Sequence, residues 1–188
     1  MPEHDAEAPT PAPDPDTGPA GPYTDATRAR VAAAYEACEL ADLARATVPI
    51  GAHELTTDGA VRSPGSLLAD AAHVLAAAHR FFEAAAVYER LGGAGWQGVG
   101  DVLGVSADAA RERFAAAEAR FHTELHSARA TPDVTTASPD VTWWRAHLVR
   151  EPLEAALDLD DWVRRHADGD VDLGAAPVSG GLVRGDRG

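Results

Sequence analysis

Apolar residues recur along this chain at spacings of three and four, which is the period of amphipathic α-helices. The first such segment starts at Thr24 or Asp25, either of which can cap a helix, and continues to about Val48. Proline and glycine then crowd positions 49–65, where we expect a loop. One face of the predicted helix carries Val31, Ala34, Tyr35, Cys38 and Ala41.

The longest periodic segment begins at Ser66, which we expect to act as its N-cap, and ends at Leu91 before two glycines. Its apolar positions alternate by four and three, as in a helix-packing seam: Leu67, Ala71, Val74, Ala78, Phe81, Ala85 and Tyr88. A second apolar stripe consists of Leu68, Leu75 and Phe82. The two stripes predict a helix that is covered on two sides, in the core or in a dimer seam.

The stretch Trp96–Phe114 has the features of two helices joined by a tight turn. Gly104 can take the left-handed conformation that ends the first helix, and Gly100 lets a neighbouring helix come close. Ser106 can cap the second helix, and we expect Val105 to fill the gap between the two. The stretch therefore predicts a helix-turn-helix. Its expected buried positions are Val99, Leu103, Ala109, Ala110 and Phe114.

This stretch resembles the helix-turn-helix of region 4 of bacterial sigma factors, and it is similar to small helix-turn-helix proteins of high-GC bacteria. The resemblance covers roughly residues 66–127, a third of the chain. The positions that fit the pattern are Trp96, Val99, Gly100, Leu103, Gly104, Val105, Ser106, Ala109, Ala110, Arg111, Arg113 and Phe114.

The resemblance implies that the second helix enters the major groove of DNA, where its first exposed residues meet the base edges. The implied base-facing residues are Ala107, Asp108, Arg111 and Glu112. The residues implied for phosphate contacts or for support of the fold are Gln97, Arg113 and Arg120. Asp108 departs from the basic or amide residues common in the family and can at best accept a hydrogen bond from a cytosine amino group.

Composition supports helices but opposes strong binding to nucleic acid. The chain has 41 Ala and only 12 residues of Ile, Phe, Tyr and Trp, which favours helix over strand. It has 16 Arg, no Lys and a net charge of −14, whereas phosphate binding depends on cationic side chains. Residues 65–127 hold five Arg and eight acidic residues, a net charge of −3. We therefore expect DNA binding to be weak unless a homodimer or a protein partner supports it.

Other candidate sites have plainer explanations. His122 and His126 lie one helical turn apart, a spacing that can present two ligands to a metal ion. The interpretation we favour is that they are solvated or capping histidines near the end of the helix. The acidic run 158–161, which includes Asp160, fits a solvated helix face. The segment 168–172 lacks the glutamate that closes a calcium loop. We expect no catalytic site, no metal and no cofactor.

The remaining segments flank the predicted helix-turn-helix domain. Residues 1–22 form an acidic, Pro-rich tail that we expect to be disordered, and 168–188 a second flexible tail. An N-terminal helix and loop occupy 23–65, a linker 128–140, and a helical hairpin 141–167. The hairpin residues expected to face the core are Trp143, Trp144, Leu148, Leu153, Leu157, Trp162 and Val163.

These observations predict an all-α protein with a helix-turn-helix and two disordered tails. Cys38 is the only cysteine, so no internal disulfide forms, and we place it in the core. No apolar run approaches membrane length and the N-terminus lacks signal-peptide character, which predicts a cytoplasmic protein without a membrane partner. The expected function is that of a transcriptional regulator that binds double-stranded DNA. The alternative is a non-enzymatic protein–protein interaction module that kept the scaffold and lost strong DNA affinity.

Overall fold

The computed structural model describes residues 23–51, 54–129, 150–167 and 172–183. Within these ranges the protein is all-α, as predicted, and its only pairing of extended backbone is an isolated antiparallel bridge between Leu55 and Val61. The helices are α1 (Asp25–Ala46), α2 (Ser66–Leu91), α3 (Trp96–Leu103), α4 (Ala107–Arg129), α5 (Pro152–His166) and α6 (Ser179–Val183). Across the described part of the chain, no helix is both long and apolar enough to cross a membrane.

Helices α1 and α2 form an antiparallel hairpin. The Thr24 side chain accepts a hydrogen bond from the backbone N–H of Thr27 at 3.1 Å, which caps α1 as predicted. Buried Glu36 of α1 then forms an ion pair with Arg80 of α2 at 2.9 Å. The Arg30 guanidinium, nearer the start of α1, lies over the Tyr88 ring, nearer the end of α2. Residues later in α1 therefore lie beside residues earlier in α2, so the two helices run in opposite directions.

The start of α2 differs from the sequence prediction. Ser66 is the first residue of the helix and does not cap it, because Gly65 occupies the N-cap position with a left-handed φ of 93°. The Ser66 hydroxyl instead donates to the carbonyl oxygen of Ser63 at 3.0 Å. The predicted end at Leu91 is confirmed, with Gly92 as C-cap.

Only the second half of α2 is covered on two sides. Ala86 and Val87 are buried there between α1 and the pair α3–α4. In the first half, Leu68 is 75 % and Leu75 58 % exposed. Within one copy, two-sided cover is therefore confirmed only for the second half, because α3 and α4 pack against α2 only from about Phe82 onward, and a dimer seam on the first half stays a prediction.

Exposed apolar side chains gather where α1 ends and α2 begins. They lie on the end of α1, on the connecting loop and on the first turns of α2. We refer to this set as the tip patch: Val48, Ile50, Leu55, Val61, Leu67, Leu68 and Leu75.

The C-terminal segment packs along α1, from Val31 to Asp42. Ala155 and Leu159 of α5 form a buried cluster with Val31 of α1, and Val178 and Leu182 pack against that cluster. Residues 172–183, predicted as part of a flexible tail, are thus folded onto α1 in this structure. The predicted tail 1–22 and the hairpin residues Trp143, Trp144 and Leu148 lie outside the described residues.

Two predictions on α5 are corrected. Leu157, expected in the core, is exposed because it lies on the face of α5 opposite Ala155 and Leu159. Asp160, expected on a solvated face, is buried and accepts hydrogen bonds from the backbone N–H groups of Val178 and Ser179 and from the Ser179 hydroxyl. Burial raises the pKa of Asp160, but these hydrogen bonds outweigh it and hold the pKa below its ordinary value. The carboxylate thereby anchors the start of α6.

Candidate nucleic-acid interface

The turn between α3 and α4 is built on two glycines. Gly104 ends α3 in the left-handed conformation, with φ of 68°. The next backbone N–H, that of Val105, donates to the carbonyl oxygen of Gly100 at 3.0 Å. A Cβ atom on Gly100 would lie only 2.7 Å from the carbonyl oxygen of Val105, so a side chain there would push the turn open. The predicted roles of both glycines agree with this geometry.

Ser106 caps α4. Its hydroxyl oxygen accepts a hydrogen bond from the backbone N–H of Ala109 at 3.1 Å. Its carbonyl oxygen accepts the N–H of Ala110 at 2.9 Å, so α4 propagates directly from the turn. Because the cap satisfies one of the free N–H groups at the helix start, the first residues of α4 are held in a defined position.

A small apolar core fixes α3 and α4 on α2. Val99, Ala110 and Phe114 are buried together with Ala86 of α2. The Phe82 ring of α2 meets the Phe114 ring edge-to-face, with centroids 5.2 Å apart. Trp96 and Leu103 are half-buried against this core.

Two expected members of this core lie elsewhere. Val105 is 43 % exposed and does not fill the gap between the helices; its backbone carbonyl, not its side chain, approaches Gly100. Ala109 is exposed, because successive helical residues point about 100° apart and Ala110 takes the inward position.

The implied base-facing residues share the outer face of α4. Asp108, Arg111 and Glu112 are exposed, while Ala107 is half-buried. No carboxylate within the described residues forms an ion pair with Arg111, so its guanidinium is available to an external acceptor. Asp101 of α3 is also exposed. The charged groups at this face are therefore three carboxylates and one guanidinium.

The three implied phosphate contacts already have partners inside the protein. The Gln97 amide nitrogen donates to Asp101 at 2.7 Å. The Arg113 guanidinium lies 4.8 Å from the centre of the Phe82 ring, and Arg120 forms an ion pair with Glu83 at 2.8 Å. Arg113 and Arg120 thus contact α2, although both side chains remain exposed to solvent. They support the packing of α4, which is the second role that the resemblance allowed.

Arg90 is a structural residue that sequence reasoning did not single out. Its guanidinium lies 4.2 Å from the Trp96 ring centre, donates to the carbonyl oxygen of Ala94 and pairs with Glu118 at 3.4 Å. One side chain therefore joins the end of α2, the start of α3 and the middle of α4. The proximity of an arginine to the tryptophan of the motif was the available signal, but the pairing with Glu118 is visible only in three dimensions.

The candidate metal and thiol groups do not assemble into a reactive site. The Nδ1 atom of His126 lies 2.6 Å from the carbonyl oxygen of His122, so that imidazole bonds to its own helix. Among the residues described, no three His, Cys, Asp or Glu side chains come together as metal ligands would. Burial, followed by the charge of Asp42, raises the pKa of Cys38 to about 11, so its thiol stays protonated at neutral pH.

A cleft of about 420 Å³ lies among α1, α2 and α5. Small side chains on α1, among them Ala34 and Ala37, leave this space, and half-buried Cys38 lines it. Trp162 crosses its edge and donates from Nε1 to the Asp42 carboxylate at 3.0 Å. From α2, the cleft is lined by Phe81, Ala85 and Tyr88.

Comparison of the chain with protein-family models, with curated proteins and with solved structures finds no match.

Proposed function

We propose that this protein is a transcriptional regulator that binds double-stranded DNA through α3 and α4. The observation that carries the proposal is the turn at Gly100, Gly104 and Ser106, which holds the first two turns of α4 in a fixed, exposed position. A helix presented in this way fits the width of the major groove. Arg111, exposed and without a carboxylate partner in the described part of the chain, is the residue placed to donate to a guanine edge.

The charges at this face limit the affinity of one copy. Asp108 and Glu112 repel phosphates and can act only as acceptors, for which cytosine amino groups are the matching donors. Arg113 and Arg120 contact Phe82 and Glu83 of α2, so a phosphate has to compete with these partners for the two guanidinium groups. We therefore expect recognition of G·C pairs with modest affinity and with a shallow dependence on salt, because few phosphates are neutralised.

Fluorescence polarisation with fragment pools from the source genome, at low ionic strength, tests the proposal. Arg111→Ala is expected to weaken a specific complex by about 1–3 kcal/mol. Arg45→Ala removes the same charge from the far end of α1 and serves as the matched control. An absence of sequence preference in the wild-type protein, or equal losses in both variants, contradicts the proposal.

A second candidate function is a protein–protein interaction module on the same scaffold. The observation that favours it is a mixed apolar and acidic face: Val102 is 85 % exposed beside Asp101 and near Asp108. Such a face suits a protein partner with apolar and basic residues rather than a polyanion. Val102→Ala separates the two functions, because it removes apolar contact area and leaves every charge in place. A regulatory effect that Val102→Ala abolishes and Arg111→Ala leaves intact would favour this candidate.

A further inference from the structure

The exposed apolar side chains of this protein are concentrated at one end. Of the eleven large apolar side chains that are exposed within the described residues, seven belong to the tip patch. The patch lies at the far end of the α1–α2 hairpin from the core of α3 and α4, because Phe82, Ala86 and Val87 carry that core at the other end of α2. A concentration of exposed apolar side chains in one region is typical of an interaction site.

One stripe of α2 passes from a covered to an uncovered environment. Leu68, Leu75 and Phe82 are spaced by seven and share one face of the helix. Phe82 is covered by the Phe114 ring of α4, whereas Leu75 and Leu68 have no cover within the described residues. A partner helix on the first half of α2 would therefore occupy the place that α4 occupies on the second half.

Charge and side-chain size favour a second copy as this partner. Residues 66–79 contain a single charged side chain, Asp70, in a chain with a net charge of −14. Two copies repel each other least when their least charged surfaces meet. Ala71 and Ala72, which lie between Leu68 and Leu75 and are exposed, allow two helix backbones to approach closely.

Two of the chain's own remaining segments are poor covers for the patch. Segments 1–22 and 184–188 contain no Val, Leu, Ile or aromatic residue. Segment 130–149 does contain two tryptophans, so cover by this segment is the outcome that a wild-type monomer would indicate.

The area of the patch matches that of an interface. Full burial of one Val, Leu or Ile side chain removes roughly 60–120 Å² of apolar surface from water, so these seven partly exposed side chains offer on the order of 400 Å² per copy. A standard interface buries about 800 Å² per partner, somewhat more than half of it apolar. The tip patch therefore supplies most of the apolar area that a stable dimer needs when the side chains of the loop join Leu68 and Leu75 in the contact.

We propose that two copies of this chain associate through the tip patch. The first halves of the two α2 helices lie antiparallel about a two-fold axis, with Leu68 of one copy against Leu75 of the other and Ala72 near the axis. The arrangement leaves α3 and α4 free at the two outer ends of the dimer. The proposal does not rest on DNA binding, because it concerns the opposite end of the molecule.

Sedimentation velocity and light scattering across a concentration series test the dimer. The wild-type protein is expected to sediment as a dimer, and Leu68→Glu or Leu75→Glu to raise the dissociation constant by about tenfold or more. Val102→Glu introduces the same charge at an equally exposed apolar position outside the patch and is expected to leave the dimer intact. A wild-type monomer, or a dimer that survives both patch variants, overturns the proposal.

Cysteine cross-linking tests the antiparallel geometry. In a Cys38→Ser background, Ala72→Cys is expected to form a disulfide-linked dimer under mild oxidation, and Val102→Cys to remain monomeric under the same conditions. Far-UV circular dichroism and thermal unfolding establish that each variant is folded. Equal cross-linking at both positions, or none at Ala72→Cys in a folded dimer, contradicts the two-fold arrangement.

Discussion

The two halves of α2 carry the same apolar period but lie in different surroundings. In the second half, Phe82 and Ala86 are packed against Phe114 and Val99 of the helix-turn-helix. In the first half, Leu68 and Leu75 repeat the pattern and stay exposed. Periodicity determines which residues share a face, but it does not determine whether another element covers that face. The covered half holds the helix-turn-helix, and the uncovered half is left for a partner.

The largest expected difference between the two halves of α2 is in the free energy of unfolding that is lost when a side chain on that half, or packed against it, is replaced by alanine. Phe114→Ala removes a buried ring and its edge-to-face contact, and we expect it to lower the free energy of unfolding by about 3–5 kcal/mol. Leu68→Ala, in the exposed half, is expected to change it by no more than about 0.5 kcal/mol in the monomer. Urea denaturation below the dimer dissociation constant measures both. Similar losses would show that the two halves are equally covered.

Because the α3–α4 turn lies close to one glycine of α3 and not to the other, replacing each by alanine is expected to change stability in opposite directions. Gly100→Ala places a methyl group against the Val105 carbonyl oxygen and is expected to destabilise the protein by about 1–3 kcal/mol. Gly98→Ala meets open space and is expected to stabilise it by up to about 1 kcal/mol, because alanine has the higher helix propensity. Thermal unfolding of the two variants gives the signs. A neutral Gly100→Ala would mean that α3 and the turn are not in close contact.

Asp160 extends the comparison to two neighbouring acids on α5. Asp160→Asn is expected to lower stability by about 1–3 kcal/mol at neutral pH, whereas Asp161→Asn, on the exposed side, is expected to cost far less. Because folding lowers the pKa of Asp160, its contribution is fully present above the unfolded pKa of about 3.9 and is lost as pH falls through the folded pKa.

Stability measured against pH checks this assignment. The gap between the wild type and Asp160→Asn is expected to close as the solution is acidified below pH ~4. A gap that stays constant across that window would show that the charge of Asp160 plays no part in holding α6.

The smallest expected effect is a difference in stability between alanine variants of two serines, both of which the sequence predicts to be helix N-caps. Ser106→Ala removes the hydroxyl that caps α4 and is expected to cost about 1 kcal/mol. Ser66→Ala removes a hydroxyl that bonds only to the preceding loop, so its cost is expected to be a few tenths of a kcal/mol. Guanidinium denaturation of both variants makes the comparison. Equal costs would mean that Ser66 caps α2 after all.

Sequence reasoning succeeded where the determining contacts are local. The turn of the candidate DNA-binding site is specified by Gly100, Gly104 and Ser106, which lie within seven residues of one another. Its geometry follows from the absence of a side chain at two positions and a hydroxyl at the third. The sequence left open whether Arg113 and Arg120 contact phosphate or support the fold, because their partners in the structure, Phe82 and Glu83, are 31 and 37 residues away in the chain.

The sequence by itself determined the helical class, the ends of α1 and α2, and the turn between α3 and α4. Each of these depends on helix propensity, caps and glycine conformations, which act over a few residues. Only the tertiary structure decided that Asp160 is buried beside Ser179, that Arg113 faces α2, and that the first half of α2 is left uncovered. These outcomes depend on which helix faces pack against each other, and the residues on those faces are far apart in the chain. The local sequence pattern does not determine that packing.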